Sequence, residues 1–229
     1  VINVSADSYR YGELGPRIQD MERVAKKYGV PLLYVNQVGG NDELSFAGAS
    51  LVLDGQGKLI IKGKTFTEDM VFFDTHEHYS PLPGIEEDVS WVYNSLVLGM
   101  RDYFYKSGFK KTLLGLSGGI DAALVACIAA DALGPENVLG VFMPSRYSSQ
   151  HSSEDALALA ENLGIGYRVI SIEDTFKEYL KIFNGTPSPK GDLAEENIQA
   201  RIRGNLLMFI ANREGRLLVS TSNRSEAAV

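Results

Sequence analysis

Leu113-Leu114-Gly115-Leu116-Ser117-Gly118-Gly119-Ile120-Asp121-Ala122 is the stretch whose reading decides the fold. Leu113 to Leu116 is a short apolar run and reads as a strand, while Asp121 to Leu133 is alanine-rich and reads as a helix. Between them lie a serine and two glycines. At a strand-to-helix junction these residues let successive backbone N–H groups point into one concavity at the helix N-terminus. Such a nest suits phosphate. The loop is neither a Gly-Lys-Ser/Thr phosphate loop nor a GxGxxG fingerprint.

Two other readings fit the same residues. A tight turn without a ligand would use the glycines for their backbone freedom alone. Gly115-Leu116-Ser117-Gly118-Gly119 also matches G-x-S-x-G, the nucleophile elbow of serine hydrolases, in the correct strand–turn–helix setting. Ser117 would then need an acid and a histidine downstream, and the only later histidine is His151.

Working outward toward the C-terminus, strands and helices alternate. Val138–Phe142 reads as a strand, Ser153–Leu163 as a helix and Tyr167–Ile172 as a strand. Leu193–Asn212 reads as a long helix and Leu217–Ser220 as a strand. Short apolar strands between helices predict a doubly wound parallel sheet covered on both faces.

Toward the N-terminus the pattern changes. Val1-Ile2-Asn3-Val4-Ser5 reads as a strand, Arg17–Tyr28 as a helix stopped by Gly29 and Pro31, and Pro31–Asn36 as a strand before the turn-rich Gly39-Gly40-Asn41-Asp42. Ala49–Leu53 and Lys58–Lys62 flank Asp54-Gly55-Gln56-Gly57 as a hairpin. Ser80-Pro81-Leu82-Pro83-Gly84 reads as a linker, followed by acidic Glu86-Glu87-Asp88 and a helix from Val89 to about Lys106. The expected domains are residues 1–84 and 85–229. The chain opens within a strand without methionine and stops at Ser225-Glu226-Ala227-Ala228-Val229, where a helix is beginning, so a fragment of a longer protein is expected.

Composition narrows the function classes. With 229 residues, 45% hydrophobic and 22% charged, the chain is an ordinary globular sequence rather than a disordered or fibrous one. A net charge of −7 argues against nucleic acid or an anionic membrane as the main partner. The longest apolar run, Ala122–Ala130, is too short to span a bilayer. No leader pattern is visible at Val1-Ile2-Asn3-Val4, and Cys127 as the single cysteine excludes an internal disulfide or a Cys-cluster metal site. The expected setting is reducing and cytoplasmic. His76-Glu77-His78 has no third ligand near it in sequence and reads as a solvated linker segment. Cys127 reads as a packing thiol on the alanine-rich helix.

Ser117-Gly118-Gly119-Ile120-Asp121 resembles the pyrophosphate loop, SGGxDS, of the N-type ATP pyrophosphatases. Met143-Pro144-Ser145-Arg146-Tyr147-Ser148, Glu196-Asn197-Ile198-Gln199-Ala200-Arg201-Ile202-Arg203 and Thr221-Ser222-Asn223-Arg224-Ser225-Glu226 follow in the order found in glutamine-dependent NAD synthetases. Tyr34-Val35-Asn36-Gln37-Val38-Gly39-Gly40-Asn41-Asp42-Glu43-Leu44 resembles the end of the nitrilase-like glutaminase domain of that family. The resemblance implies the tail of a nitrilase-like α/β sandwich plus most of a doubly wound, adenine nucleotide alpha hydrolase-like domain. It implies ATP-dependent amidation of deamido-NAD through an adenylate, with glutamine or ammonia as nitrogen source, Mg²⁺ as cofactor and homo-oligomers as the assembly.

By the same resemblance, Gly115, Leu116, Ser117, Gly118, Gly119, Ile120, Asp121, Ala122 and Thr221 bind ATP. Asn197, Arg201 and Glu226 border deamido-NAD, Asp121 and Glu226 hold Mg²⁺, and Arg203 helps with phosphates. Two residues apart, Arg201 and Arg203 cannot share one helix face. The alternatives are another adenylating ATP pyrophosphatase, the serine hydrolase, and an impaired nucleotide-binding module. The last is motivated by three departures. Ala122 stands where the family loop has a hydroxyl, Asp7 where a serine is usual, and Glu13 where a basic residue is usual; the latter two positions are associated with glutamine binding.

Overall fold

The computed structural model describes residues 1–182, 192–222 and 225. The chain divides into two compact units, Val1–Tyr103 and Phe104–Val229.

The first unit contains β1 (Ile2–Ser5), α1 (Leu14–Tyr28), β2 (Leu32–Asn36), β3 (Val38–Asn41), β4 (Leu44–Ala47), β5 (Leu51–Leu53) and β6 (Leu59–Lys62). The main sheet runs β1-β2-β5-β6, with β1 parallel to β2 and the other pairs antiparallel. On α1, Leu14, Ile18, Met21 and Ala25 recur at helical spacing and are buried with Leu32, Tyr34, Leu51 and Leu53. The helix begins one turn before the expected Arg17, which places Pro16 in its first turn, where a missing N–H costs nothing. Gly39-Gly40-Asn41, read as a turn, is instead most of β3 and pairs with β4. The expected linker at 80–84 has no regular secondary structure, and the Leu82 N–H donates to the Leu59 carbonyl at 2.7 Å. Helix α2 (Val89–Ser107) contributes Trp91 and Leu98 to the first core. That burial moves the structural division past the composition change at residue 84.

The second unit contains β7 (Thr112–Leu116), α3 (Ile120–Leu133), β8 (Val138–Phe142), α4 (Gln150–Leu163), β9 (Gly166–Val169), α5 (Glu173–Ile182), α6 (Leu193–Glu214) and β10 (Leu217–Leu218). The sheet order is β10-β7-β8-β9, parallel throughout. Leu113, Leu139 and Val141 pack with Phe176 of α5 and with Ile202, Ile210 and Ala211 of α6. Residues alternate across a strand, so Leu114, Leu116 and Phe142 face the other side, where α3 and α4 present buried Ala126, Ala129, Ala156 and Ala160. The expected doubly wound sheet is therefore observed. Strands β9 and β10 are shorter than expected because the chain leaves regular pairing early. The N–H groups of Ile170, Ile172 and Val219 still donate to carbonyls of Phe142, Pro144 and Leu113 at 2.9–3.0 Å. Helix α5 has no counterpart in the sequence reading.

Candidate functional site

Chain order places the site. From β7 the sheet grows through β8 to β9 on one side, and the chain then crosses back to lay β10 on the other side of β7. β7 and β10 lie side by side at this switch of direction, where open α/β sheets bind ligands. A cleft of about 1040 Å³ lies there, lined by Ser117, Gly119, Asp121 and Ala122 after β7, Tyr147 to Ser149 after β8, and Ser220 to Ser222 after β10.

The β7–α3 loop is built by its glycines. Gly118 has φ +78°, and a Cβ there would stand 2.8 Å from the Cα and 2.9 Å from the carbonyl oxygen of Ser152. Only glycine fits both constraints. The Gly119 N–H donates to Ser117 Oγ at 3.2 Å, which closes the turn. Gly119 is also the N-cap of α3 and brings no side chain to accept from the first-turn amides. The next helix start differs: Ser149 caps α4 by accepting from the Ser152 N–H at 3.1 Å. An uncapped helix start beside a serine-rich wall is suited to an anion, since the helix dipole and the N–H groups act together.

Among the described residues, the cleft lining carries two charged side chains, Asp121 and Arg203. Asp121 lies in the first turn of α3. The half-buried Arg203 donates from Nε to the Met143 carbonyl at 3.1 Å, and burial draws its guanidinium below the ordinary value. Helix α6 presents Ala200, Arg203, Gly204 and Leu207 to the cleft, one face at i, i+3, i+4, i+7. Gly204 adds no bulk, and the space beside its Cα is open.

The loop after β8 is held from two helices. Arg146 Nε donates to Glu173 Oε1 at 2.9 Å, and its NH2 reaches the same oxygen. The hydrogen bond raises the pKa of Arg146 and lowers that of Glu173. Tyr147 OH donates to Glu195 Oε2 at 2.9 Å, and Glu195 is 5% exposed.

The anticipated residues separate into three groups. Gly115, Leu116, Ser117, Gly119, Asp121, Ala122 and Thr221 line the cleft, with Gly118 in the same loop, whereas the Ile120 side chain is 80% exposed. Asn197 and Arg201 lie on the exposed face of α6, where Arg201 NH1 donates to the Asn197 carbonyl and Oδ1, both at 3.1 Å; neither lines the cleft. Arg203 does. Glu226 lies outside the described residues. Sequence reasoning assigned no ligand role to Ser148, Ser149, Ser152 or Gly204. The available signal was the serine-rich segment 148–153 between a strand and a helix, with the spacing of a capped helix start.

The geometry does not support Ser117 as a hydrolase nucleophile. Its Oγ accepts within the turn, the described cleft lining contains no histidine, and the side chain of His151 is 92% exposed beside Glu154. His76 and His78 are exposed, and no group of three or more metal-binding side chains gathers among the described residues. Cys127 is partly buried within α3.

The profile of the NAD synthase family matches residues 92–229. The chain belongs to that family. It is 48% identical over 241 residues to the glutamine-dependent NAD(+) synthetase of Synechocystis sp., which covers all of this chain and 42% of that protein. A solved glutamine-dependent NAD+ synthetase from Acinetobacter baumannii, in complex with ADP, superposes with a TM-score of 0.89 at 37% identity. It covers 99% of this chain, which spans 44% of that one. The NH3-dependent NAD synthetase of Campylobacter jejuni matches 62% of this chain and 59% of its own at a TM-score of 0.55 and 33% identity. The chain thus spans under half the length of its glutamine-dependent relatives.

Mg²⁺ commonly takes one or two carboxylates plus phosphate oxygens and water rather than a full protein cage, and Asp121 is the carboxylate of the described lining. In the first unit, Asp7 Oδ2 accepts from Tyr34 OH at 2.8 Å and lies 3.6 Å from Arg17 NH1. Its charge is met locally. Glu13 pairs with Arg10 at 3.5 Å on the surface. Among the described residues, no helix is long and apolar enough to cross a membrane.

Proposed function

We propose that the intact protein converts deamido-NAD to NAD by ATP-dependent amidation, and that the second unit holds the ATP. The observation that carries this is the uncapped start of α3 behind the Ser117-Gly118-Gly119 turn, set in a cleft at the switch of strand direction. A carboxylate is a poor electrophile until one oxygen becomes a leaving group. Attack of the nicotinate carboxylate on the α-phosphorus forms a carboxyl–AMP bond and expels pyrophosphate. Ammonia then adds to the carboxyl carbon, loses a proton and displaces AMP.

On this reading, the backbone N–H groups of the turn at Gly118 and of the first turn of α3 bind the pyrophosphate oxygens, which carry charge as the bond breaks. Thr221 contacts the nucleotide from the β10 side, and Arg203 supplies the positive charge of that wall. Asp121, with Glu226, would hold Mg²⁺, which neutralises phosphate charge when bound. Asn197 and Arg201 serve deamido-NAD from the exposed face of α6, a location that suits a site completed by further protein, such as another subunit of a homo-oligomer. The nitrogen comes from glutamine or free ammonia, and one cysteine suits a cytoplasmic setting. The full-length protein with deamido-NAD, ATP, Mg²⁺ and ammonia should release AMP and pyrophosphate in step with NAD. NAD formation without stoichiometric AMP would refute the adenylate route.

A further inference from the structure

Two consecutive residues of the loop after β8 are gripped by carboxylates from two different helices. Arg146 is held by Glu173 at the first residue of α5, and its guanidinium also lies 5.8 Å from the Phe176 ring centroid. Tyr147 is held by Glu195, in the first turn of α6. Burying a carboxylate is costly unless hydrogen bonds compensate, so Glu195 at 5% exposure is an expensive residue to keep for packing alone. Its position at a helix N-terminus offsets part of that cost, and the Tyr147 hydroxyl supplies a donor. Tyr147 itself lines the cleft, as do Ser148 and Ser149 beside it.

A second tie runs parallel to the first. Arg203 Nε donates to the Met143 carbonyl at 3.1 Å, at the other end of the same loop. Glu195 and Arg203 are separated by about 12 Å along the helix at ~1.5 Å per residue. The segment of α6 between these ties contains Asn197 and Arg201. The loop that walls the nucleotide cleft and the helix that bears the candidate dinucleotide residues are thus fastened at two points.

The geometry points to Glu195 as a positioning residue: through Tyr147 it fixes the β8 loop as a wall of the nucleotide cleft and couples that wall to α6. The inference rests on the ATP reading of the cleft. Its elements are separable by variants of the full-length protein titrated calorimetrically with ATP and Mg²⁺. Tyr147→Phe removes the donor and keeps the ring, and Glu195→Ala removes the acceptor. Each should weaken ATP binding about tenfold. The double variant should lose clearly less than the sum of the two single losses, because both singles remove the same hydrogen bond. Glu195→Gln keeps a carbonyl that accepts from the tyrosine and should stay within about threefold of wild type. A merely structural glutamate would not give that pattern of rescue and non-additivity. Unchanged ATP affinity in Tyr147→Phe, or losses that add in the double variant, would overturn the inference while leaving the ATP reading intact. Failure of the wild type to bind ATP would overturn both.

Discussion

Gly118 lies so close to Ser152 that a Cβ on the glycine would stand 2.8 Å from the serine Cα. The phosphate-loop candidate and the start of α4 are therefore packed backbone to backbone. Gly118→Ala should destabilise the second unit by about 1–2 kcal/mol from the left-handed backbone alone, with the contact adding more. Urea unfolding and ATP titration of the same variant test this. Wild-type ATP affinity would mean that the loop need not keep this shape.

Ala122 is 3% exposed yet lines the cleft, in the first turn of α3. Ala122→Ser should add a donor toward an anionic oxygen at little cost in helix propensity. A gain of about 1–2 kcal/mol, or roughly five- to thirtyfold in ATP affinity, is expected. Calorimetry should show the gain, whereas the ligand-free protein should gain no thermal stability.

Asp121→Asn separates the metal from the phosphates. A neutral amide is a poor Mg²⁺ ligand, so ATP binding in Mg²⁺ should weaken about tenfold or more. Binding in the presence of a chelator should change little. Equal losses in both conditions would assign Asp121 to the nucleotide or the fold rather than to Mg²⁺.

Arg203→Met and Arg201→Met should differ although the residues are neighbours. Loss of a charge-assisted hydrogen bond costs about 1.5–3 kcal/mol, so Arg203→Met should weaken ATP binding by an order of magnitude or more. Arg201→Met should leave ATP binding within twofold and raise the KM for deamido-NAD in the full-length enzyme. Steady-state kinetics with each substrate varied in turn distinguishes the two.

Tyr34 provides an alkaline test of the first unit. Burial, then the hydrogen bond to Asp7, push its pKa from 10.0 to about 12. The folded state retains that proton when the unfolded chain has lost it. The associated stability is present below pH 10 and is lost as pH rises toward 12. Chemical unfolding followed by Trp91, the single tryptophan and a member of the first core, should show stability falling across this window. Tyr34→Phe should flatten the fall. Tyr9, also raised to about 12 by burial first, leaves a residual slope.

What the sequence determined by itself was local or periodic. The Ser117-Gly118-Gly119 junction between an apolar run and an alanine-rich helix was readable because glycine conformation and helix-start chemistry act within a few residues. The alternation that made the sheet parallel was readable from the lengths and apolarity of successive segments. The β3 strand was missed because glycines and an asparagine signal a turn unless a partner strand supplies the hydrogen bonds, as β4 does.

Tertiary structure decided which side of α6 faces the cleft. Polar and apolar residues alternate around that helix without a clear stripe, so its sequence could not rank Arg201 against Arg203. Packing of Ile202, Ile210 and Ala211 on the sheet sets the rotation of the helix. That rotation turns Arg203 toward the Met143 carbonyl and leaves Arg201 outside beside Asn197. The pairing of Tyr147 with Glu195 was equally invisible, because the fold alone brings together residues 48 positions apart.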